Sequence, residues 1–174
     1  MLALFVRFQD SARQQARAAG LVASVADIRV VRRQHRIFYA LLLVAPLEWW
    51  WRQRPAGWAQ LAGAATFLAG VVGYRAAGAV LGPQLSPLVA PREPARLVMR
   101  GPYGLIRHPM YLAELAMAVG VPWMLGARLS MLLTLLFAAM LLRRIGIEER
   151  ALRDRLPDYA GYAAHTYRLI PYVY

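Results

Sequence analysis

The sequence predicts an all-α protein, a polytopic integral membrane helix bundle with about four transmembrane helices and an N-terminal amphipathic helix. Three observations lead to this fold class. Apolar residues make up 59% of the 174-residue chain, whereas soluble domains contain about 45–50%. The mean hydropathy is positive, at +0.38. The 21 basic residues are all arginines, and they lie in clusters between long apolar runs, which is typical of a membrane protein with basic loops on one side.

Composition and charge also limit the function classes. A net charge of +12 on its own would suggest nucleic acid as a partner. Because the arginines alternate with apolar runs, we expect membrane lipids as partners and no nucleic acid. The chain has no cysteine, so disulfides, zinc–thiolate sites and a thiol nucleophile are excluded, and we expect no metal site. The length corresponds to one domain or a small pair.

Four apolar stretches are predicted to cross the bilayer, which requires about 20 apolar residues in a helix. These stretches are residues 37–51, 58–81, 111–125 and 129–142. Pro46 interrupts the first and Pro122 the third, and the third begins just past Pro109. Nothing ends the fourth helix at residue 142, so we expect it to continue through its charged residues, out of the hydrocarbon, until Pro157.

Residues 1–36 are expected to form a cytoplasmic or interfacial segment. Asp10 and Ser11 can cap a helix. Four apolar residues then share one face of that helix, opposite the arginines: Leu21, Val22, Val25 and Ile28. We interpret the segment as an amphipathic helix on anionic lipid, with a loosely ordered basic arm as the alternative. Its longest apolar run is too short for a signal peptide.

The distribution of arginines predicts the orientation. With four spans, 17 arginines fall on one side of the membrane and three, Arg52, Arg54 and Arg128, on the other. The positive-inside rule then places both termini and the long central loop in the cytoplasm. We expect the membrane to be the bacterial inner membrane.

Three ionisable residues lie within the predicted spans, where charge is costly and commonly functional. Glu48 and Arg75 are on adjacent spans. They could pair directly, or Arg75 could extend to the membrane surface. Glu114 lies one turn into the third span, and we expect it to line a site rather than to bind a structural partner. The tail tyrosines are expected to fold back over the same end of the bundle, with membrane anchoring as the alternative: Tyr159, Tyr162, Tyr167 and Tyr172.

Polar residues concentrate at the cytoplasmic ends of the third and fourth spans. Pro109 suits the first turn of a helix, which places His108 at the cap beside backbone N–H groups that favour an anionic ligand. Glu148 follows Arg144 by four residues and so lies on the same helix face. Its carboxylate is a suitable partner for a ligand ammonium group. The alternatives are a structural histidine and a surface ion pair.

Two segments together resemble a known family. The run RHPMYLA from Arg107 to Ala113, preceded by LVMRGPY from Leu97 to Tyr103, resembles the R-H-P-x-Y-x-G/A motif of isoprenylcysteine carboxyl methyltransferase and related membrane phospholipid methyltransferases. Residues 144–152 read RIGIEERAL and are followed by two tyrosines and a proline. They are similar to the family's R-x-x-x-E-E-x-x-L…Y-x-x-Y…P ending. The resemblance covers about residues 82–171, in the family's order.

The resemblance implies S-adenosylmethionine as cofactor, bound at the cytosolic end of the bundle. The cofactor-binding residues it implies are Arg96, Leu97, Val98, Tyr103, His108, Pro109, Met110, Tyr111, Glu148 and Glu149. Arg144 matches the arginine that the family places near the methyl acceptor, and His108 and Glu114 are the other catalytic candidates. Ala95 stands where the carboxyl methyltransferases have a histidine. Glu149 is expected to tolerate substitution by glutamine better than Glu148, unless it caps a neighbouring loop.

The predicted organisation is therefore an N-terminal segment (1–36), two transmembrane helices (37–81) and a catalytic methyltransferase region (82–174). We expect an integral membrane S-adenosylmethionine-dependent methyltransferase. Its lipophilic or amphiphilic acceptor could be a prenylcysteine-like carboxylate, a phospholipid amine or another small lipid. One alternative is an NADPH-dependent membrane reductase of the sterol reductase type, and another is a non-catalytic membrane protein. The sequence shows no dedicated general base, and the oligomeric state stays open.

Overall fold

The computed structural model describes residues 25–53, 57–85 and 96–173. Its helices are α1 (Val25–Arg52), α2 (Trp58–Leu81), α3 (Pro109–Leu125), α4 (Ser130–Arg155) and the short α5 (Tyr159–Ala164). Two single 3₁₀ turns, Gly82–Gln84 and Gly101–Gly104, lie between α2 and α3. Within those described ranges the only β-type pairing is one isolated parallel bridge between Ile106 and Tyr167. The all-α prediction is confirmed.

The four long helices alternate in direction. α3 packs against α1, α2 and α4, and α1 also packs along α4. The start of α1, the end of α2, the start of α3 and the end of α4 therefore lie at one end of the bundle. We call this the motif end, because His108 and Glu148 lie there. The α1–α4 core consists of apolar side chains from α1, α3 and α4, with Leu169 of the tail: Leu41, Tyr111, Ala118, Phe137, Leu141, Ile145 and Leu169.

Glycine allows the backbones of α2 and α3 to touch. A Cβ atom on Gly63 would lie 2.3 Å from the backbone nitrogen of Met124, and one on Gly120 would lie 2.6 Å from that of Phe67. Small residues at such crossings are a recurrent way of packing membrane helices, since lipid provides no hydrophobic force between them. This contact fixes α2 against α3 along most of its length.

The beginning of α4 is capped by a side chain from α1. Glu48 accepts hydrogen bonds from the backbone N–H groups of Leu129 (2.9 Å) and Ser130 (2.8 Å), and from the Ser130 hydroxyl (2.8 Å). It also pairs with Arg52 at 3.3 Å. The carboxylate satisfies N–H groups that a helix start leaves without partners. Glu48 is therefore part of a helix cap at the end opposite the motif end, and Arg75 is exposed near the motif end.

The helix bounds confirm some expectations and correct others. α3 begins at Pro109, and α4 runs on to Arg155, as the sequence predicted. α1 is continuous from Val25 to Arg52 and so crosses the predicted limit between residues 36 and 37. The predicted cap at Asp10 and Ser11 lies outside the described residues, as do Leu21 and Val22.

Among the residues that the structure describes, two helices are long and apolar enough to cross a membrane, Trp58–Leu81 and Ser130–Arg155. α3 is apolar but has 17 residues, and the first half of α1 carries arginines. The predicted number of four spans is therefore not established by helix length and composition. Large apolar side chains are exposed along three helices, including Leu43 on α1, Leu68 on α2 and Leu135 on α4.

Candidate functional site

The C-terminal tail folds back over the motif segment, as expected from its tyrosines. The N–H of Arg107 donates to the Tyr167 carbonyl (2.8 Å), and the N–H of Tyr167 donates to the Leu105 carbonyl (3.0 Å). The N–H of His108 donates to the Arg168 carbonyl (3.2 Å). This short ladder holds the start of α3 against the tail, so the motif is positioned by residues about 60 positions later.

Two buried tyrosines strengthen this docking. The Tyr162 hydroxyl donates to the Tyr103 carbonyl at 2.7 Å. Burial raises the pKa of Tyr162 to about 12. Burial, and after it the negative charge of Glu148, also raises the pKa of Tyr103. Both phenols therefore remain protonated at neutral pH, and the hydroxyl of Tyr162 remains a donor.

His108 and Pro109 begin α3 as the motif predicted. His108 is the residue before the first helical residue, Pro109, and both are buried. The His108 ring stacks on the Tyr111 ring, with centroids 5.4 Å apart and planes 13° apart. Its carbonyl accepts the N–H groups of Tyr111 and Leu112. Two of the N–H groups that were expected to favour an anion are thus used within the helix.

Glu149 is the centre of a buried ion cluster. It is 1% exposed and pairs with Arg107 at 2.8 Å, Arg168 at 2.9 Å and Arg153 at 3.2 Å. The Nε2 atom of His108 lies 3.5 Å from the same carboxylate. Arg107 also donates to the carbonyls of Ala163 and Thr166. This carboxylate therefore joins α4, the motif and the tail.

A second polar cluster lies inside the bundle and joins three helices. Gln34 of α1 donates from Nε2 to Oε2 of Glu114 on α3 at 2.8 Å. Arg144 of α4 donates from Nη1 to Oε1 of the same amide at 3.1 Å. Gln34 and Arg144 are 2% and 4% exposed. A guanidinium enclosed in this way needs partners, since burying an unpaired charge is costly.

Tyr111 extends this cluster to Glu148. Its hydroxyl donates to Oε2 of Glu148, and the Arg144 guanidinium lies over its ring, 5.0 Å from the centroid. That distance is in the range of a cation–π contact. Arg144 and Glu148, one turn apart on α4, thus enclose one aromatic ring between them. We call Gln34, Tyr111, Glu114, Arg144 and Glu148 the inner polar cluster.

The remaining predicted cofactor residues have other surroundings. The methyl group of Met110 lies toward Gly78 of α2. Arg96 is exposed, and its N–H donates to the side chain of Gln84 at 3.3 Å. Leu97 and Val98 are half-buried. In the described part of the chain, Arg96, Leu97 and Val98 form no hydrogen bond or ion pair with the inner polar cluster.

Sequence reasoning missed three residues that organise the site. Gln34 lies in a run of arginines, which was interpreted as a lipid-facing segment, so its inward position gave no signal. Arg107 is part of the quoted motif, but Glu149 lies 42 positions later in the sequence, so nothing local indicated that the two would pair. Arg168 was not singled out at all. Within residues 25–53, 57–85 and 96–173, no group of three or more His, Cys, Asp or Glu residues is placed to hold a metal ion.

Comparisons with known proteins match about half of the chain. The sequence profile of the isoprenylcysteine carboxyl methyltransferase (ICMT) family matches residues 63–154. The chain is 34% identical over 84 residues to the cobalt-zinc-cadmium resistance protein CzcN of Cupriavidus metallidurans, covering 48% of this chain and 39% of that protein. It is 32% identical over 84 residues to the nickel-cobalt-cadmium resistance protein NccN of Alcaligenes xylosoxydans xylosoxydans, with the same coverage. The match thus spans about two fifths of each relative.

Proposed function

Because the chain belongs to the isoprenylcysteine carboxyl methyltransferase family, we propose that it is an integral membrane methyltransferase that transfers a methyl group from S-adenosylmethionine to a lipophilic or amphiphilic acceptor. The observation that carries this proposal is the inner polar cluster. It lies at the motif end and contains Tyr111, Arg144 and Glu148, three of the residues that the family motif singles out. The match to the family profile includes all three.

The residues at the motif end fit the cofactor's amino-acid portion. Glu148 is half-buried, and the one hydrogen bond that it accepts from the described residues reaches Oε2. Its other oxygen can therefore accept from an ammonium group. The stacked rings of His108 and Tyr111 give an aromatic surface beside that carboxylate, which suits a cationic sulfonium. S-adenosylmethionine supplies an electrophilic methyl group on that sulfonium.

The chain's own contribution is orientation and exclusion of water. Methyl transfer is an in-line displacement, so its rate depends on holding the acceptor behind the methyl group. Tyr111 is fixed by Glu148 and by the Arg144 guanidinium, and the docked tail covers the start of α3. These contacts hold the reacting residues rigidly in a site with little water.

We also propose four membrane spans with both termini in the cytoplasm of a bacterial inner membrane. The alternating helix directions and the excess of arginine at the motif end support this arrangement. The acceptor would then reach the site from the lipid, and membrane lipids would surround the exposed leucines of α1, α2 and α4. The two relatives are named for resistance to metals, so an effect of this methylation on metal tolerance is part of the proposal.

Calorimetry on the detergent-solubilised protein tests the cofactor. We expect S-adenosylhomocysteine to bind and NADPH not to bind, and we expect label from methyl-labelled S-adenosylmethionine to appear in lipid extract fractions. Arg144→Ala is expected to reduce methyl transfer while affinity for S-adenosylhomocysteine changes less than about threefold. Binding of NADPH alone would favour the reductase, and binding of neither ligand would favour a non-catalytic protein.

A further inference from the structure

We propose that Glu114 is the proton acceptor of the reaction and that the methyl acceptor presents an N–H or O–H group rather than a carboxylate. The juxtaposition that points to this is the carboxylate of Glu114 joined to the Arg144 guanidinium through the single amide of Gln34. The inference rests on the proposed function, because it names the substrate class of the same site.

The orientation of the Gln34 amide follows from its two partners. Arginine has donors and no acceptor, so the amide must turn its oxygen toward Arg144. Its nitrogen then faces Glu114, and Oε2 of Glu114 is the accepting atom. Oε1 of Glu114 accepts no hydrogen bond from the described residues. One oxygen is thus held in place, and the other is available for a proton from a ligand.

Glu114 lies deeper in the bundle than the residues that we propose for the cofactor. On α3, Glu114 follows Tyr111 by three residues, and on α4, Arg144 precedes Glu148 by four. Residues at these spacings share one helix face, about one turn apart. A methyl group presented at the level of Tyr111 and Glu148 would therefore meet an acceptor at the level of Glu114 and Arg144.

Charge balance then disfavours an anionic acceptor. The inner polar cluster contains one guanidinium, Arg144, and two carboxylates, Glu114 and Glu148. S-adenosylmethionine carries a net single positive charge, so the charges cancel when the acceptor is neutral. A carboxylate acceptor would leave a net negative charge in a buried site and would lie beside Glu114, where like charges repel. Arg144 already contacts the Gln34 amide and the Tyr111 ring.

The step balances in atoms and charge. The acceptor is a neutral amine or alcohol, and it gives the proton of its N–H or O–H group to Oε1 of Glu114 as the lone pair of that nitrogen or oxygen forms a bond to the methyl carbon. The carbon–sulfur bond breaks in the same step, and that bonding pair remains on sulfur. The products are the methylated acceptor, S-adenosylhomocysteine and a protonated Glu114, which returns the proton to water.

The test uses three acceptors that share one alkyl chain: hexadecylamine, hexadecanol and hexadecanoate, each with labelled S-adenosylmethionine and the detergent-solubilised wild type. We expect transfer to the amine or the alcohol to exceed transfer to hexadecanoate by at least about tenfold, and comparison of those two arms identifies nitrogen or oxygen as the methylated atom. Faster transfer to hexadecanoate, or no transfer to either protic acceptor by protein that binds S-adenosylhomocysteine, overturns the proposal.

A pair of variants tests the role of Glu114 itself. Glu114→Gln keeps the shape of the side chain and removes the proton acceptor, so transfer to the protic acceptor should fall by about 100-fold or more. Affinity for S-adenosylhomocysteine should stay within about twofold of wild type. Glu48→Gln, which changes a buried carboxylate at the other end of the bundle, is the matched control and should retain the wild-type acceptor ranking. Equal rates for Glu114→Gln and wild type would contradict the proposal.

Failure of the proposed function gives a different result. If the wild type binds no S-adenosylhomocysteine and labels none of the three acceptors, the methyltransferase assignment itself is wrong. If it binds S-adenosylhomocysteine and labels hexadecanoate preferentially, the assignment stands and only the role of Glu114 is wrong.

Discussion

Glu148 and Glu149 are neighbours in sequence with very different surroundings. Glu148 is half-buried and accepts from one tyrosine, whereas Glu149 is fully enclosed and paired with three arginines. Adjacent residues on a helix point about 100° apart, and here that angle separates the inner polar cluster from the tail contact. Because the Glu149 charge neutralises buried partners, these contacts favour the alternative that Glu149 tolerates glutamine less well than Glu148.

For Glu148→Gln we expect affinity for S-adenosylhomocysteine to fall by roughly 10- to 100-fold with little change in thermal stability. A hydrogen bond between a carboxylate and an ammonium group contributes about 1.5–3 kcal/mol, which corresponds to that range of affinity. A titration of S-adenosylhomocysteine measures it, and a thermal melt of the same sample shows that the variant is folded. Wild-type affinity in a folded variant would contradict the proposed role.

Glu149→Gln should instead unfold the protein at lower temperature. Removing one partner of a buried ion pair costs on the order of 3 kcal/mol, because the other charges stay buried and unpaired. Arg107, whose side chain is 9% exposed, would lose its closest carboxylate. A thermal melt in detergent checks this, and a midpoint equal to that of Glu148→Gln would show that the cluster contributes little.

At the start of α3, His108→Ala should weaken binding of S-adenosylhomocysteine more than Pro109→Ala does. Pro109 shapes a helix start that the His108 carbonyl also stabilises, and alanine is tolerated at that position. His108 contributes the ring stacked on Tyr111. The same binding titration compares the two variants. Equal and negligible effects would make the motif structural only.

At the scale of helices, what the sequence predicted well was local and what it missed was contact between distant segments. Pro109 and Pro157 predicted where α3 begins and where α4 ends, because proline acts on its own backbone. The sequence places a limit at residue 36, where the arginines give way to an apolar stretch, and α1 runs across that position. α1 continues there since Gln34 faces inward while Arg33 and Arg36 face outward.

The α2–α3 contact predicts that alanine substitution has opposite effects on stability at two glycines of α2. A Cβ on Gly70 would lie 2.8 Å from the Ala113 carbonyl oxygen, whereas the nearest atom to a Cβ on Gly73 would be 3.6 Å away. Gly70→Ala should therefore destabilise the protein by about 1–3 kcal/mol. Gly73→Ala should be neutral or slightly stabilising, because alanine favours the helix. Thermal melts of both variants measure this difference in stability, and equal midpoints would contradict this packing.

At the scale of the molecule, the bundle has two polar ends of different character. The motif end holds the candidate site, the tail and most of the arginines, and the opposite end holds the Glu48 cap. The sequence predicted which residues belong to the motif end, because the residues of a short motif are close together in the chain. It did not predict that α1 contributes to the inner polar cluster, because Gln34 contacts Glu114 and Arg144 across 80 and 110 positions of sequence.

Reporter fusions test the proposed orientation of these ends. A reporter that is active only in the periplasm should stay inactive when fused after Tyr174. It should become active when inserted between Gln53 and Gly57, in the connection between α1 and α2. We expect this result because most arginines lie on the side of the membrane that contains the motif end. The reverse result at the two positions would place the motif end on the periplasmic side of the membrane.

The cap at the start of α4 has a consequence for how the protein is made. Glu48 and the N–H group of Leu129 that it binds are separated by 81 positions. At ribosomal speeds of about 5–20 residues per second, that interval lasts roughly 4–16 seconds. During this interval the newly made α1 carries a carboxylate whose donors at the start of α4 have not yet been synthesised. Synthesis of the start of α4 supplies these donors, so the contact between Glu48 and α4 can form only after that interval.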